Sequence, residues 1–147
     1  MVVLLITVVV VGYLLGSLPF GYLVARVHGV DIFKAGSGNP GATNVRRVVG
    51  KGPGNAVFIL DAGKGAVAAL VPGIYRSFAN SSAGAFLPDQ IQFQILVAAG
   101  LLSSVLGHSF SCFTKFRGGK GVATGAGGFA VLFPSGMGIG LAVFILT

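Results

Sequence analysis

The stretch MVVLLITVVVVGYLLGSLPFGYLV, residues 1–24, contains no charged side chain. A helix of that length is about 36 Å long, enough to cross a hydrocarbon core of roughly 30 Å. A cleaved signal peptide fits poorly, because no basic region precedes the apolar core and no small-residue cleavage site follows a short one. Residues 1–24 therefore read as a membrane span, and the rest of the chain repeats the pattern. Apolar segments run over 53–75, 91–113 and 122–147, separated by polar stretches at 25–52, 76–90 and 114–121. Pro53 stands where a helix tolerates proline, in its first turn. The expected fold is all-α: a polytopic transmembrane helix bundle of about four spans. The whole of 1–147 reads as one integral membrane domain, expected to be the N-terminal part of a longer protein because the last span stops without a flanking charge.

Composition supports the same class. Of the 147 residues 54% are hydrophobic and only 9% charged, against about 25% charged in soluble domains. The net charge is +7, with Asp31, Asp61 and Asp89 as the only acids. So hydrophobic a chain is not a soluble nucleic-acid-binding module; membrane lipids and phosphorylated small molecules are the expected partners. A single cysteine, Cys112, excludes an intrachain disulfide framework and a cysteine-based zinc site. Glycine is the other excess, at 25 residues. Gly12-x-x-x-Gly16 and Gly136-x-x-x-Gly140 have the spacing that lets membrane helices approach closely.

The cations sort by loop. Arg26, Lys34, Arg46, Arg47 and Lys51 lie in 25–52, Lys115, Arg117 and Lys120 in 114–121, and Arg76 alone in 76–90. The positive-inside rule puts both basic loops in the cytoplasm and the N-terminus outside.

Both basic loops carry the chemistry of anion binding. In GSGNPGATNVRR, residues 36–47, Gly36, Gly38 and Gly41 leave backbone N–H groups unobstructed, as in an anion nest. Ser37, Asn39, Thr43 and Asn44 add neutral polar groups, Arg46 or Arg47 a charged fork, and a helix expected to begin near Gly41 would aim at the same place. In KFRGGKGVAT, residues 115–124, Lys120 stands between Gly119 and Gly121, just before a helix. The Walker pattern fails here, since Thr114 and Gly121 occupy positions that require Gly and Ser or Thr; nucleotide binding is not inferred. A solvated turn and a positive-inside anchor are the bland readings of these two loops.

Within the spans, Asp61 and Lys64 share a helix face at i, i+3 and read as an ion pair; Lys64 is also a candidate for holding substrate. His108, beside the second basic loop, could act as a base or a phosphate donor, or be purely structural. His28 has no functional signal. No serine–histidine–aspartate arrangement, carboxylate pair or metal-ligand cluster is present, and neither metal nor cofactor is expected. Chemistry must then run on positioning and charge stabilisation.

Taken together, GSGNPGATNVRR, the Asp61-x-x-Lys64-Gly65 element, Gly107-His108 and the GGKGVAT turn resemble the bacterial acyl-phosphate:glycerol-3-phosphate acyltransferase family, PlsY, over essentially the whole chain. The resemblance implies a multi-pass enzyme of the bacterial cytoplasmic (inner) membrane. It would move an acyl chain from acyl-phosphate to glycerol 3-phosphate, giving lysophosphatidic acid for phospholipid synthesis. It carries phosphate binding onto Ser37, Asn39, Thr43, Asn44 and Arg47, and onto Lys120 and Thr124; the glycines Gly38, Gly41 and Gly119 are expected at the same phosphate site. Lys120, Arg47 and His108 are the expected catalytic groups. The family's third motif lies in a later segment that these residues do not include. A transporter or channel subunit for phosphorylated anions is the rival reading; it should show polar groups through the midplane of several spans, whereas here they gather at one face.

Overall fold

Proline 19 decides how the first span is built. Without an N–H it cannot continue the helical ladder, so α1 (Val2–Ser17) ends there and a short α2 (Phe20–Val27) follows. The uninterrupted helix expected over 1–24 is thus two helices with a break between them. Carbonyls freed at such a break are costly at membrane depth unless something satisfies them. Here the Ser111 hydroxyl donates to Ser17 O and the Lys64 ammonium donates to Leu18 O at 2.8 Å.

The computed structural model describes residues 1–82, 84–136 and 138. After α2 come α3 (Ala42–Val48), α4 (Lys51–Ala79), α5 (Gln90–Ser109), a single 3₁₀ turn (Cys112–Thr114) and α6 (Val122–Leu132). Among the described residues, three stretches are long and apolar enough to span a membrane: Val2–Val27, Lys51–Ala79 and Gln90–Thr114. The fourth expected span begins as α6, and its remainder lies largely outside the described residues.

Element ends differ from expectation for local reasons. α4 begins at Lys51, ahead of Pro53, and continues past Tyr75 to Ala79. α5 begins at Gln90 on a capping box: the Asp89 carboxylate accepts from Gln92 N at 2.8 Å, and Gln92 Oε1 accepts from Asp89 N at 3.2 Å. It stops at Ser109, and the backbone passes through the 3₁₀ turn instead of continuing to Phe113.

Small residues set the packing, as expected for Gly12 and Gly16. A methyl group on Gly12 would strike Ser103 and Gly100, and one on Gly16 would strike Ser104. These contacts seat α1 on α5. On α4, Gly65 lies against the Thr124 carbonyl, which seats α6. Gly136 is described and Gly140 is not, so the second glycine pair lies partly outside the described residues. α3 lies on α4 with Gly54 packed against Arg46. Below it, Ala25, Ile32, Val45 and Val57 form a fully buried apolar cluster. That cluster anchors the first polar loop to the bundle end where α4 and α6 begin and α5 ends.

Candidate functional site

The first loop is organised by one buried side chain, Asn44. Its amide donates to Ala35 O at 3.0 Å and Asn39 O at 2.9 Å, and its Oδ1 accepts from Ser37 N at 3.0 Å. Asn39 Oδ1 accepts from Gly41 N at 2.8 Å, and Gly38 N donates to Ala35 O at 3.1 Å. The expected nest of free glycine amides is therefore partly closed within the loop, because Asn39 takes the Gly41 amide and the Ala35 carbonyl takes the Gly38 amide. What remains to meet a ligand is the set of side chains on the loop's outer side: Ser37, Thr43 and Arg47, all exposed. Gly36, at φ 59°, makes the turn possible; a side chain there would also collide with Asn44.

Long-range contacts hold the second segment. Gly119 N donates to His108 O at 3.1 Å. Substitution at Gly118 would strike that carbonyl, and substitution at Gly119 would strike His108 Nε2. His108 is itself fixed: Nδ1 lies 3.2 Å from Thr124 Oγ1 and 3.5 Å from Asp61 Oδ1. Nδ1 thus faces both oxygens, and Nε2 lies toward the glycine turn.

Between the two segments lies a cleft of ≈ 330 Å³. Ser37, Asn39, Gly41, Thr43, Asn44 and Arg47 wall one side, and His108 and Lys120 the other. Most of the residues singled out in the sequence therefore meet in one cavity. Gly38, Gly119, Thr124 and Lys64 do not line it. Thr124 is fully buried behind His108. Lys64 sits behind Asp61, its ammonium 2.8 Å from Asp61 Oδ1 and 2.8 Å from Leu18 O. The ion pair is present as expected; it has ion-pair distance without good hydrogen-bond direction, since Asp61 Oδ1 has no aligned donor.

Two residues of the cleft lie outside both basic segments and were not expected in a site: Phe58 and Asp61. Their i, i+3 spacing on α4 is the signal that joins them. With Asp61 matched to Lys64, Arg47 and Lys120 are cleft cations that have no acidic partner among the described residues. Such a cavity suits an anion. No cluster of metal-ligating side chains occurs among the described residues.

Fold and cleft together define a multi-pass α-helical membrane protein with a cationic cavity at one end of its bundle. Residues 6–147 match the sequence model of the family described as glycerol-3-phosphate acyltransferase. A glycerol-3-phosphate acyltransferase from Thermus thermophilus is 45% identical over 139 residues, 92% of this chain and 62% of that protein. One from Chlorobium phaeobacteroides is 42% identical over 144 residues, 97% of this chain and 60% of that protein. The crystal structure of PlsY, an integral membrane glycerol 3-phosphate acyltransferase in its glycerol 3-phosphate form, is similar with TM-score 0.77 and 39% identity. That match covers 96% of this chain and 64% of the other. A lysophosphatidic acid form of PlsY matches with TM-score 0.73 and 40% identity, over 95% of this chain and 62% of the other. The chain belongs to the glycerol-3-phosphate acyltransferase family, and it spans a little over three-fifths of the length of these relatives.

Proposed function

We propose that this chain supplies the phosphate-holding half of an enzyme that transfers an acyl chain from an acyl-phosphate to glycerol 3-phosphate. The observation that carries the reading is the convergence of Arg47 and Lys120 on one cleft from loops 73 positions apart in sequence. An acyl-phosphate is a mixed anhydride, so its leaving group is already good and needs no strong acid. The glycerol hydroxyl oxygen attacks the acyl carbon. The new C–O ester bond forms as the bond from acyl carbon to phosphate oxygen breaks, and the hydroxyl proton passes to a substrate phosphate oxygen. Arg47 would grip one phosphate through its fork, with Ser37 and Thr43 orienting it. Lys120 would follow the charge that builds on the departing phosphate. His108 would offer Nε2 at the edge of the cleft, with its ring fixed by Thr124 and Asp61.

The full-length protein, purified with acyl-phosphate and glycerol 3-phosphate, should yield lysophosphatidic acid and inorganic phosphate. Vesicle uptake of labelled glycerol 3-phosphate with no ester formed would instead establish the transporter reading. The polar groups of the cleft gather at one end of the bundle, which fits an enzyme working at the face of the bacterial inner membrane. We infer that this face is cytoplasmic and that the N-terminus lies outside, from the loop charges. Single cysteines at Ser81 and Lys115, in a Cys112→Ala background, should label from opposite sides. Labelling from one side would overturn the topology.

A further inference from the structure

A second basic cleft, of ≈ 580 Å³, opens at the same end of the bundle. It shares no lining residue with the reaction cleft. Arg26, Lys34, Lys115 and Arg117 line it against a single carboxylate, Asp31. Asp31 is already engaged, 3.6 Å from Lys34 and accepting from Phe33 N at 3.2 Å.

Its two arginines are held in place before any ligand arrives. The Arg117 guanidinium lies 4.3 Å from the Phe33 ring centroid, and Arg26 donates to the Tyr22 hydroxyl at 2.6 Å. Stacked guanidinium groups keep their donors free at the edge and lose little freedom on binding. Lys115 and Phe116 both adopt left-handed backbone, at φ 55° and φ 60°, where residues with side chains seldom sit. Phe116 N to Ser111 O at 2.8 Å and Arg117 N to Thr114 O at 3.1 Å secure this turn. Lys115 lines the cleft, while Phe116 is left largely exposed. Large apolar side chains on the same elements are bare as well: Leu23 and Val27 on α2, Phe110 just past α5, and Phe113 in the cleft wall.

We propose that this cleft seats the headgroup of an anionic phospholipid from the surrounding bilayer. A free phosphate would use the cations and leave the exposed apolar side chains unmatched. A lipid uses both, with its phosphate among the cations and its acyl chains along α2 and Phe113. Occupancy also bears on the reaction site, because Arg117 leads directly into Gly118, Gly119 and Lys120. A headgroup holding Arg117 would steady the turn that presents Lys120, so anionic lipid would raise turnover.

The test is native mass spectrometry of the full-length protein released from bilayers of equal phosphatidylglycerol and phosphatidylcholine. The wild type should retain phosphatidylglycerol in preference, even in a large excess of inorganic phosphate. Arg26→Gln/Lys115→Gln should lower that preference on the order of tenfold. Equal retention by wild type and variant, or release by inorganic phosphate, would overturn the proposal. Neither arm needs the acyl-transfer reading. A second measurement rests on that reading: turnover against phosphatidylglycerol fraction should rise in the wild type and flatten in the variant, with equal rates in pure phosphatidylcholine. Identical lipid responses would remove the coupling to Lys120.

Discussion

The two phosphate-type segments meet in one cleft but are held there differently. Residues 36–47 brace themselves: Asn39 and Asn44 bond to backbone within the same loop. Residues 115–124 depend on distant partners, with Gly119 on His108, His108 on Thr124 and Asp61, and Gly121 packed against Val105. A self-braced loop keeps its shape when its surroundings shift. A loop hung on other helices takes its shape from them, and what disturbs α5 or α6 must reach Lys120 before it reaches Arg47.

The largest disturbance comes from the buried pair behind the cleft. Lys64→Ala leaves the Asp61 carboxylate uncompensated, with both side chains almost wholly buried, and uncovers the Leu18 carbonyl at the helix break. The expected loss is about 3–5 kcal/mol of stability, read as a fall in thermal midpoint in detergent. Asp61→Leu/Lys64→Met, which removes both charges, should recover most of that stability without restoring activity, because Asp61 also orients His108. If the double variant recovers activity as well, the pair is a packing device only.

Lys120→Ala probes the dependent segment at its tip. Removal of one electrostatic stabiliser should cut turnover roughly a hundredfold or more. Lys115→Ala, five positions away and outside the reaction cleft, should cost far less. Equal small losses in the two variants, at equal expression and insertion, would reduce Lys120 to a membrane anchor.

Arg47→Ala probes the self-braced segment. Its guanidinium is exposed and makes no bond that the loop needs, so the loop should keep its shape. The loss should appear in the Michaelis constant for glycerol 3-phosphate, on the order of 2 kcal/mol for a charge-assisted hydrogen bond. An unchanged constant with normal turnover would remove Arg47 from the site.

What the sequence revealed follows the same division. Three of the spans were legible because an apolar run long enough to cross a bilayer has few other uses. The first segment was legible in its residue types, yet its glycine amides were expected to be free. Asn39 takes the Gly41 amide and Ala35 O the Gly38 amide, and an asparagine that binds ligand reads the same in sequence as one that binds its own backbone. The break at Pro19 was visible as a proline, but its meaning needed Lys64, 46 positions from Leu18, and Ser111, 94 positions from Ser17. Asp61 read as a partner for Lys64. That it also faces the cleft depends on how α4 turns toward α5 and α6, which no local pattern specifies.

Thr124→Val should give the smallest effect, and it is the sharpest test of the dependent segment. Thr124 is fully buried and outside the cleft, so it cannot touch a ligand directly. Valine keeps the shape and removes the hydroxyl that meets His108 Nδ1 at 3.2 Å. His108 then keeps only Asp61, at 3.5 Å, to fix its ring, and Gly119, bonded to the His108 carbonyl and packed on Nε2, loses part of its support. A buried neutral hydrogen bond is worth about 1 kcal/mol, so turnover should fall about fivefold. The Michaelis constant for glycerol 3-phosphate should hold, because Arg47 and the self-braced loop are untouched. Thr124→Ser restores the hydroxyl and should restore most of the rate. A packing role would give the reverse order, with valine tolerated and serine, which lacks the methyl group, the slower variant. If the Michaelis constant rises together with the loss of rate, the two segments are not independently held, and the division between them fails.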